Sequence, residues 1–195
     1  MKCILGSSSP RRSELLKMIG LTFSIEKSHY QERAFRNSED ILEYSKELAL
    51  KKGQEIIGRI KTDLLLSSDT IVEIKGEVLG KPMDKDDAQA MLEKLSGSWH
   101  QVITSVAYFK NQKIDHIEAE VSKVWFKQLS ADDIDHYLKN AKYLDKAGAY
   151  GIQEHGQGLA HRIEGNFSNI VGLPLNRVLD YLVKSFGPNW RRKFE

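Results

Sequence analysis

The stretch Cys3-Ile4-Leu5-Gly6-Ser7-Ser8-Ser9-Pro10-Arg11-Arg12 joins an apolar segment, a small polar turn and the start of a helix. Its apolar part, residues 2–6, is typical of a short buried strand. Ser9 before Pro10 predicts an N-cap and a first helical residue, for a helix over residues 10–19. A strand that leads directly into a helix favours the α/β class.

The rest of the chain alternates strands with helices early and pairs strands as hairpins later. The spacing of apolar residues predicts helices over 39–57 with Ser38 as cap, over 84–95, over 130–139 and from 174 onward. It predicts strands over 64–66, 71–74, 78–79, 101–109 and 114–126. Glycine and turn residues over 145–172 predict a functional loop with short strands. This order predicts one α/β domain over residues 1–195 with a mixed sheet. We expect the C-terminal Trp190-Arg191-Arg192-Lys193 to be a solvated tail.

Charge and cysteine content exclude several classes of protein. The 195 residues include 29 basic and 27 acidic side chains, so a nucleic-acid binder that works through a broad basic field is not expected. The single cysteine excludes an intramolecular disulfide and is typical of a reducing compartment. No apolar run approaches the roughly 20 residues of a membrane span. We therefore expect a soluble, cytoplasmic protein that binds neither nucleic acid nor membrane.

The polar turn has the composition of a phosphate-binding site. Helix N-termini expose N–H groups and partial positive charge. Hydroxyl and guanidinium donors are added by Ser7, Ser9, Arg11 and Arg12. Two arginines in a first helical turn oppose the helix dipole by about 0.3–1 kcal/mol each, and a bound anion would offset that cost. The alternative is that both arginines point to solvent and the serines only cap the helix.

Three further charged residues stand out from their local patterns. Lys52 falls in the apolar stripe of the second helix, where a lysine either snorkels to the surface or meets an anion. Asp69 follows an apolar strand, where α/β sheets place ligand crevices, so it is a candidate general base or metal ligand. The alternative for Asp69 is a turn residue bonded to nearby N–H groups. Lys81 follows the next hairpin, and a loop lysine is usually solvated.

Together these residues resemble the Maf family of nucleoside triphosphate pyrophosphatases. The resemblance covers nearly the whole chain, through motifs that occur in the family's order: Ser7-Ser8-Ser9-Pro10-Arg11-Arg12-Ser13-Glu14-Leu15-Leu16, Ser68-Asp69-Thr70-Ile71-Val72, Leu79-Gly80-Lys81-Pro82, Leu95-Ser96-Gly97 with His100 and Thr104, Asp145-Lys146-Ala147-Gly148-Ala149-Tyr150-Gly151-Ile152-Gln153, and Asn169-Ile170-Val171-Gly172-Leu173-Pro174. Each motif is modest alone, whereas six in order are specific. Two positions depart from the family pattern, since Ala141-Lys142-Tyr143 replaces a frequent Gly-Glu-Pro and Ser105 replaces a glycine.

The resemblance implies a fold, partners and site residues. The fold is three-layer α/β/α with a mixed central sheet, like the inosine triphosphatases, with two lobes around a cleft. A homodimer and a divalent cation, Mg²⁺ or Mn²⁺, are also implied. Asp69 matches the proposed proton acceptor, and Glu32 is the second candidate metal ligand. The other matches to charged or substrate-choosing positions are Lys52, Lys81, Arg11, Thr70 and Gln153.

The implied reaction is hydrolysis of a nucleoside triphosphate to the monophosphate and pyrophosphate. Residues 145–153 resemble the branch of the family that acts on dTTP and UTP, as opposed to the branch that acts on 7-methyl-GTP. CTP and modified or 7-methylated nucleotides stay open as alternative substrates.

Two other classes of function also stay open at this point. One is a non-catalytic nucleotide-binding regulator of cell division. The acidic pair Asp69 and Glu32 argues against it, because phosphate binding alone favours the loss of negative charge near the ligand. The other is an RNA-binding module, whose affinity would fall steeply with salt, and the balanced charge makes it the weakest alternative.

Overall fold

Seven strands and six helices occur in residues 1–36, 39–153 and 158–195, the part of the chain that the computed structural model describes. The strands are β1 (Cys3–Gly6), β2 (Ser24–Ile25), β3 (Leu64–Ile74), β4 (Glu77–Leu79), β5 (Trp99–Lys110), β6 (Lys113–Phe126) and β7 (Ala160–Glu164). The helices are α1 (Pro10–Met18), α2 (Ile41–Ile57), α3 (Lys85–Leu95), α4 (Ala131–Asn140), α5 (Phe167–Val171) and α6 (Leu175–Phe186), with 3₁₀ turns at Ala147–Ala149 and Trp190–Lys193. Among these described helices, none has the length and apolar character that crossing a bilayer requires.

The strands form one mixed sheet. Its order is β2-β1-β3-β5-β6-β7, and β4 pairs with β3 outside this path. β1 runs parallel to both β2 and β3, with Leu5 opposite Leu66. The pairs β3–β4 and β6–β7 are antiparallel. The predicted α/β class with a mixed sheet is therefore confirmed.

The chain divides into two compact units. The first contains Met1–Asp69, Thr104–Glu120 and Gly172–Glu195, and the second contains Thr70–Ile103 and Val121–Val171. Strands β3, β5 and β6 each have residues in both units. Two lobes were expected, and two units are found. That they form a single domain with a cleft stays a prediction.

Strand β3 is longer than the sequence pattern indicates. We expected it to end after residues 64–66, but it continues without a break to Ile74. Ser67 is accommodated inside the strand because its hydroxyl donates to the carbonyl oxygen of Ala49, 2.7 Å away, so a buried polar group is satisfied. Asp69 therefore lies within a strand and not at its end. It follows the last residue paired with β1 and precedes the residues paired with β4.

Helix α2 begins two residues later than expected. Asp40 caps it, and its carboxylate accepts hydrogen bonds from the backbone N–H groups of Leu42 and Glu43 at 2.8 and 3.0 Å. The predicted cap, Ser38, lies outside the described residues. An aspartate at the N-cap satisfies free N–H groups and also interacts favourably with the helix dipole.

Small residues on α2 let this helix lie close to the sheet. Ser45, Ala49 and Gly53 follow one another at four-residue spacing on its buried face. A Cβ atom on Gly53 would lie 2.0 Å from Cε2 of Phe109, so only glycine fits there without movement. The hydroxyls of Ser45 and Ser105 are 2.8 Å apart, which gives both buried groups a partner.

In the first unit, helices cover both faces of the sheet. Ala49 and Ile56 of α2 pack with Phe109 in one buried cluster. The neighbouring Tyr108 faces the other way, because side chains alternate along a strand. It stacks on Tyr181 of α6, with ring centroids 3.8 Å apart. The order of helix, sheet and helix agrees with the predicted three layers.

The second unit packs α3 against both α4 and the 3₁₀ turn Ala147–Ala149. Helix α4 begins as the sequence predicts, with a capping box in which Ser130 and Asp133 bond to each other's backbone N–H groups. Residues 145–172 contain strand β7, as expected of that loop region, and also helix α5, which was not expected. A helix of five residues is too short for apolar periodicity to indicate it.

The C-terminus is packed, and the expectation of a solvated tail was wrong. Trp190 and Phe194 are 1% and 2% exposed. The terminal ammonium of Met1 donates to the carbonyl oxygen of Lys193 at 2.6 Å. The two aromatic side chains are buried, which is favourable, while Arg191, Arg192 and Lys193 between them remain exposed to solvent.

Candidate functional site

The turn between β1 and α1 is held together by its own polar groups. Ser9 is the N-cap residue, as predicted, although its side chain makes no capping hydrogen bond. The hydroxyl of Ser7 accepts hydrogen bonds from the backbone N–H of Ser9 at 3.2 Å and from the guanidinium of Arg12 at 2.9 Å. Ser7 thus belongs to the framework of the turn, and substrate binding by these serines stays a prediction.

Arg12 ties the turn to two other segments of the first unit. Its Nε atom donates to the carbonyl oxygen of Gly172, and a terminal nitrogen donates to that of Ser68, both at 2.8 Å. Burial lowers the pKa of Arg12; Asp69 opposes this effect, and the adjacent Arg11 adds to it. The alternative in which both arginines point to solvent is therefore wrong for Arg12.

Lys52 joins two carboxylates of the first unit. Its ammonium donates to Oδ1 of Asp69 and lies 2.7 Å from Oε1 of Glu32. Only 14% of the Lys52 side chain is exposed, so the lysine meets anions and does not snorkel. A buried ammonium and a buried carboxylate each require an opposite charge, and here they supply it to one another.

One oxygen of Asp69 has no partner within residues 1–36, 39–153 and 158–195. This atom, Oδ2, is buried and accepts no hydrogen bond from those residues. Buried polar atoms are normally satisfied, so Oδ2 has the capacity to accept a proton or to bind a cation. Residues 1–36, 39–153 and 158–195 contain no group of three or more His, Cys, Asp or Glu that could hold a metal. Mg²⁺ is commonly held by one or two carboxylates together with water and phosphate oxygens, so a divalent cation at Asp69 and Glu32 stays a prediction.

The segment that contains Glu32 is anchored to α2 on both sides. Arg33 pairs with Glu47 at 2.5 Å. On the other side, the carboxylate of Glu55 accepts a hydrogen bond from the hydroxyl of Ser28 at 3.0 Å. The sequence pattern does not indicate these anchoring residues, because ion pairs between remote positions leave no spacing signal.

The second unit contains the other three predicted residues, which are Thr70, Lys81 and Gln153. Gly148 lies on the segment that leads to Gln153 and contacts the segments that contain Lys81 and Thr70. Its backbone N–H donates to the carbonyl oxygen of Gly80, next to Lys81, at 3.0 Å. A Cβ on Gly148 would lie 3.1 Å from both methyl groups of Val72, two residues after Thr70. The φ of +66° at Gly148 also favours glycine.

His100 and Tyr150 form a buried pair in the same unit. His100 Nε2 and the Tyr150 hydroxyl are 2.7 Å apart. Both rings meet the ring of Phe126 edge-on, with centroids 4.9 and 4.8 Å away. Burial lowers the pKa of His100 to about 4, so the imidazole is neutral at physiological pH.

The neutral imidazole of His100 predicts an acid-labile fold. As the pH falls below about 6.5, the unfolded chain binds a proton at this histidine while the folded protein does not until about pH 4. Between pH 7 and pH 5 the free energy of unfolding should therefore fall by about 2 kcal/mol from this group. Urea unfolding at both pH values measures the difference. A His100→Leu variant should lack this part of the pH dependence, and an identical fall in the variant would contradict it.

Fold and site together define an α/β protein with a cationic strand-to-helix turn beside a pair of carboxylates. The Maf-like protein family, Maf, matches residues 2–185. The chain therefore belongs to the Maf family.

Curated relatives are similar over nearly the whole chain. A dTTP/UTP pyrophosphatase of Acetivibrio thermocellus is 42% identical in an alignment 203 positions long, which covers 99% of each chain. One from Thermotoga petrophila is 40% identical over 184 residues, 93% of this chain and 88% of the relative. One from Thermosipho africanus is 43% identical over 183 residues, 93% and 92% of the two chains. Among solved structures, a HAM1 protein from Coxiella burnetii has a TM-score of 0.48 and 15% identity, covering 93% of this chain and 99% of that chain.

Proposed function

We propose that this protein hydrolyses dTTP and UTP to the nucleoside monophosphate and pyrophosphate. Relatives named dTTP/UTP pyrophosphatase, 40–43% identical over most of the chain, support this reaction. The observation that carries the proposal is the cluster in which Lys52 joins Asp69 and Glu32, with Arg12 bonded to the carbonyl next to Asp69. Such a cluster combines a candidate base with cations that suit a polyanionic substrate.

Asp69 is the proposed general base. A water molecule attacks the α-phosphorus, the bond from that phosphorus to the bridging oxygen breaks, and pyrophosphate leaves. The unpartnered Oδ2 atom is available to accept the proton of this water. Lys52 holds Oδ1, so the carboxylate is oriented before the substrate binds.

Four cations are assigned to the triphosphate, which are Arg11, Arg12, Lys52 and Lys81. They would offset the negative charge that grows on the leaving pyrophosphate. The hydroxyls of Ser7 and Ser9 and the N-terminus of α1 would add donors to the phosphate oxygens. In the alternative role of Asp69, Oδ2 would bind a divalent cation together with Glu32 instead of accepting the proton, and that cation would supply further charge neutralisation as a Lewis acid.

Gln153 and Thr70 are assigned to recognition of the base. A glutamine amide offers a donor group and an acceptor group, which the N3–H and the 4-carbonyl of uracil or thymine require. Cytosine presents the opposite pattern at these two positions, an acceptor and an amino group. An amide held in one orientation would therefore favour dTTP and UTP over CTP.

The resemblance to the Maf family supports two further proposals. We place the protein in the cytoplasm, which the single cysteine also favours. We also propose a homodimer. Sedimentation equilibrium at two protein concentrations would test the dimer, and a monomer mass at both would contradict it.

A pyrophosphate-release screen tests the proposed reaction. The substrates are dTTP, UTP, CTP, ATP, GTP and 7-methyl-GTP, each with Mg²⁺, with Mn²⁺ and with EDTA. We expect monophosphate and pyrophosphate from dTTP and UTP, background rates in EDTA, and recovery when Mg²⁺ is restored. Stepwise release of orthophosphate would contradict the reaction type. Saturable nucleotide binding without turnover would instead support a non-catalytic regulator.

A further inference from the structure

Buried hydroxyl groups hold the backbone just before Gln153. The N–H of Gly151 donates to the hydroxyl of Tyr137, on α4, at 3.0 Å. One residue earlier, Tyr150 bonds to His100, on β5, at 2.7 Å. Both contacts lie within three residues of Gln153, whose own side chain is exposed. The segment is therefore fixed from the interior of the second unit while its end is accessible.

The pair of His100 and Tyr150 does more than fill space. The two residues are 2% and 6% exposed, and an apolar pair of similar volume would pack there without any polar group to satisfy. Their hydrogen bond has a direction and a length, so it determines where Tyr150 lies against β5 more closely than packing alone does. The proposed mechanism uses neither group.

We propose that His100 and Tyr150 are positioning residues for the choice of base, because their side-chain hydrogen bond anchors Tyr150, three residues before Gln153, and so limits how far the backbone that presents Gln153 can shift. This inference rests on the proposed function, in which Gln153 reads the edge of the pyrimidine. A backbone held at one position lets the amide meet the base in one orientation. A backbone free to shift gives the amide room to rotate and to meet the base with donor and acceptor exchanged, which suits cytosine.

The test compares two substrates on the same enzyme preparation. For wild type and Tyr150→Phe, kcat/KM is measured for UTP and for CTP with Mg²⁺ present. The ratio of the two values does not depend on how much of the protein is folded, because the concentration of active enzyme cancels. We expect the ratio to fall about tenfold in Tyr150→Phe, since a site built to hydrogen-bond a substrate loses discrimination when its geometry loosens.

The matched control is Tyr181→Phe, which makes the same change in the first unit. The hydroxyl that it removes donates a hydrogen bond to the carboxylate of Asp115 at 2.8 Å. Its ratio should equal that of the wild type. His100→Leu should lower the ratio as Tyr150→Phe does, and the double variant should lower it no further. The single variant His100→Leu also provides the same test if Tyr150→Phe does not fold.

Each outcome of this experiment decides something specific. A wild-type enzyme that turns over UTP, with an unchanged ratio in both single variants, would overturn the positioning role alone. A wild type that does not prefer UTP over CTP would also overturn it. A wild type with no pyrophosphate release from any nucleotide would overturn the proposed function itself, and with it the inference that depends on it.

Discussion

An Asp69→Asn variant is expected to lose pyrophosphate release from dTTP and UTP by at least about a hundredfold, the usual contribution of a positioned general base. The amide oxygen of asparagine still accepts a hydrogen bond from Lys52. At the position of Oδ2, however, asparagine has an NH₂ group, which cannot receive the proton of water. The loss should therefore appear in kcat. Steady-state kinetics with Mg²⁺ present measure it.

Asp180→Asn is the control for this experiment. Asp180 is an exposed carboxylate of α6 in the same unit, and its replacement should leave kcat and KM unchanged. Thermal melts of both variants establish that each is folded at the assay temperature. Full activity in Asp69→Asn would contradict the assignment of the general base.

A Gly53→Ala variant is expected to destabilise the protein, although alanine is the better helix former by about 1 kcal/mol. The added Cβ would lie 2.0 Å from Phe109 and 2.5 Å from the hydroxyl of Ser67, both in the interior of the first unit. Overpacking of this kind lowers the free energy of unfolding by about 1–3 kcal/mol. Because Lys52 is the neighbouring residue, the displaced helix should also move its ammonium from Asp69 and lower kcat. Urea unfolding and kinetics measure the two effects.

Gly58→Ala is the matched control, since it makes the same change at the end of the same helix. Gly58 has helical backbone angles, φ −64° and ψ −21°, and the nearest atoms to an added Cβ lie at 3.4 Å. We expect a gain of about 0.4–1 kcal/mol, because alanine restricts the unfolded chain more than glycine does. Equal gains in both variants would show that the close approach at Gly53 is not required.

Local rules predicted the parts of the fold that depend on neighbouring residues. The N-cap position of Ser9, the capping box of Ser130 and Asp133 and the α/β class are confirmed. At two of the places where local rules failed, a tertiary contact is the reason. Strand β3 runs through a polar stretch because the hydroxyl of Ser67 finds the carbonyl of Ala49, and Trp190 is buried despite its basic neighbours.

The candidate site was also partly predictable from local patterns and partly dependent on tertiary contacts. Residue types and the resemblance to the Maf family were enough to name its members, because a cationic turn, a lysine in an apolar stripe and an aspartate after a strand each break a local pattern. Sequence left open whether Lys52 reaches solvent or an anion. That choice depends on the distance from its ammonium to Asp69, which is 17 positions away along the chain.

The sequence by itself determined the α/β class, the cationic turn and the family. Only the tertiary structure decided that Lys52 joins Asp69 to Glu32 and that Arg12 donates to the carbonyls of Ser68 and Gly172. It also decided that one oxygen of Asp69 has no partner among the residues that the structure describes. The physical reason is that charge pairing and burial depend on distances between residues that are remote in sequence. Those distances are set by packing, which for Lys52 includes the close approach of α2 at the neighbouring Gly53.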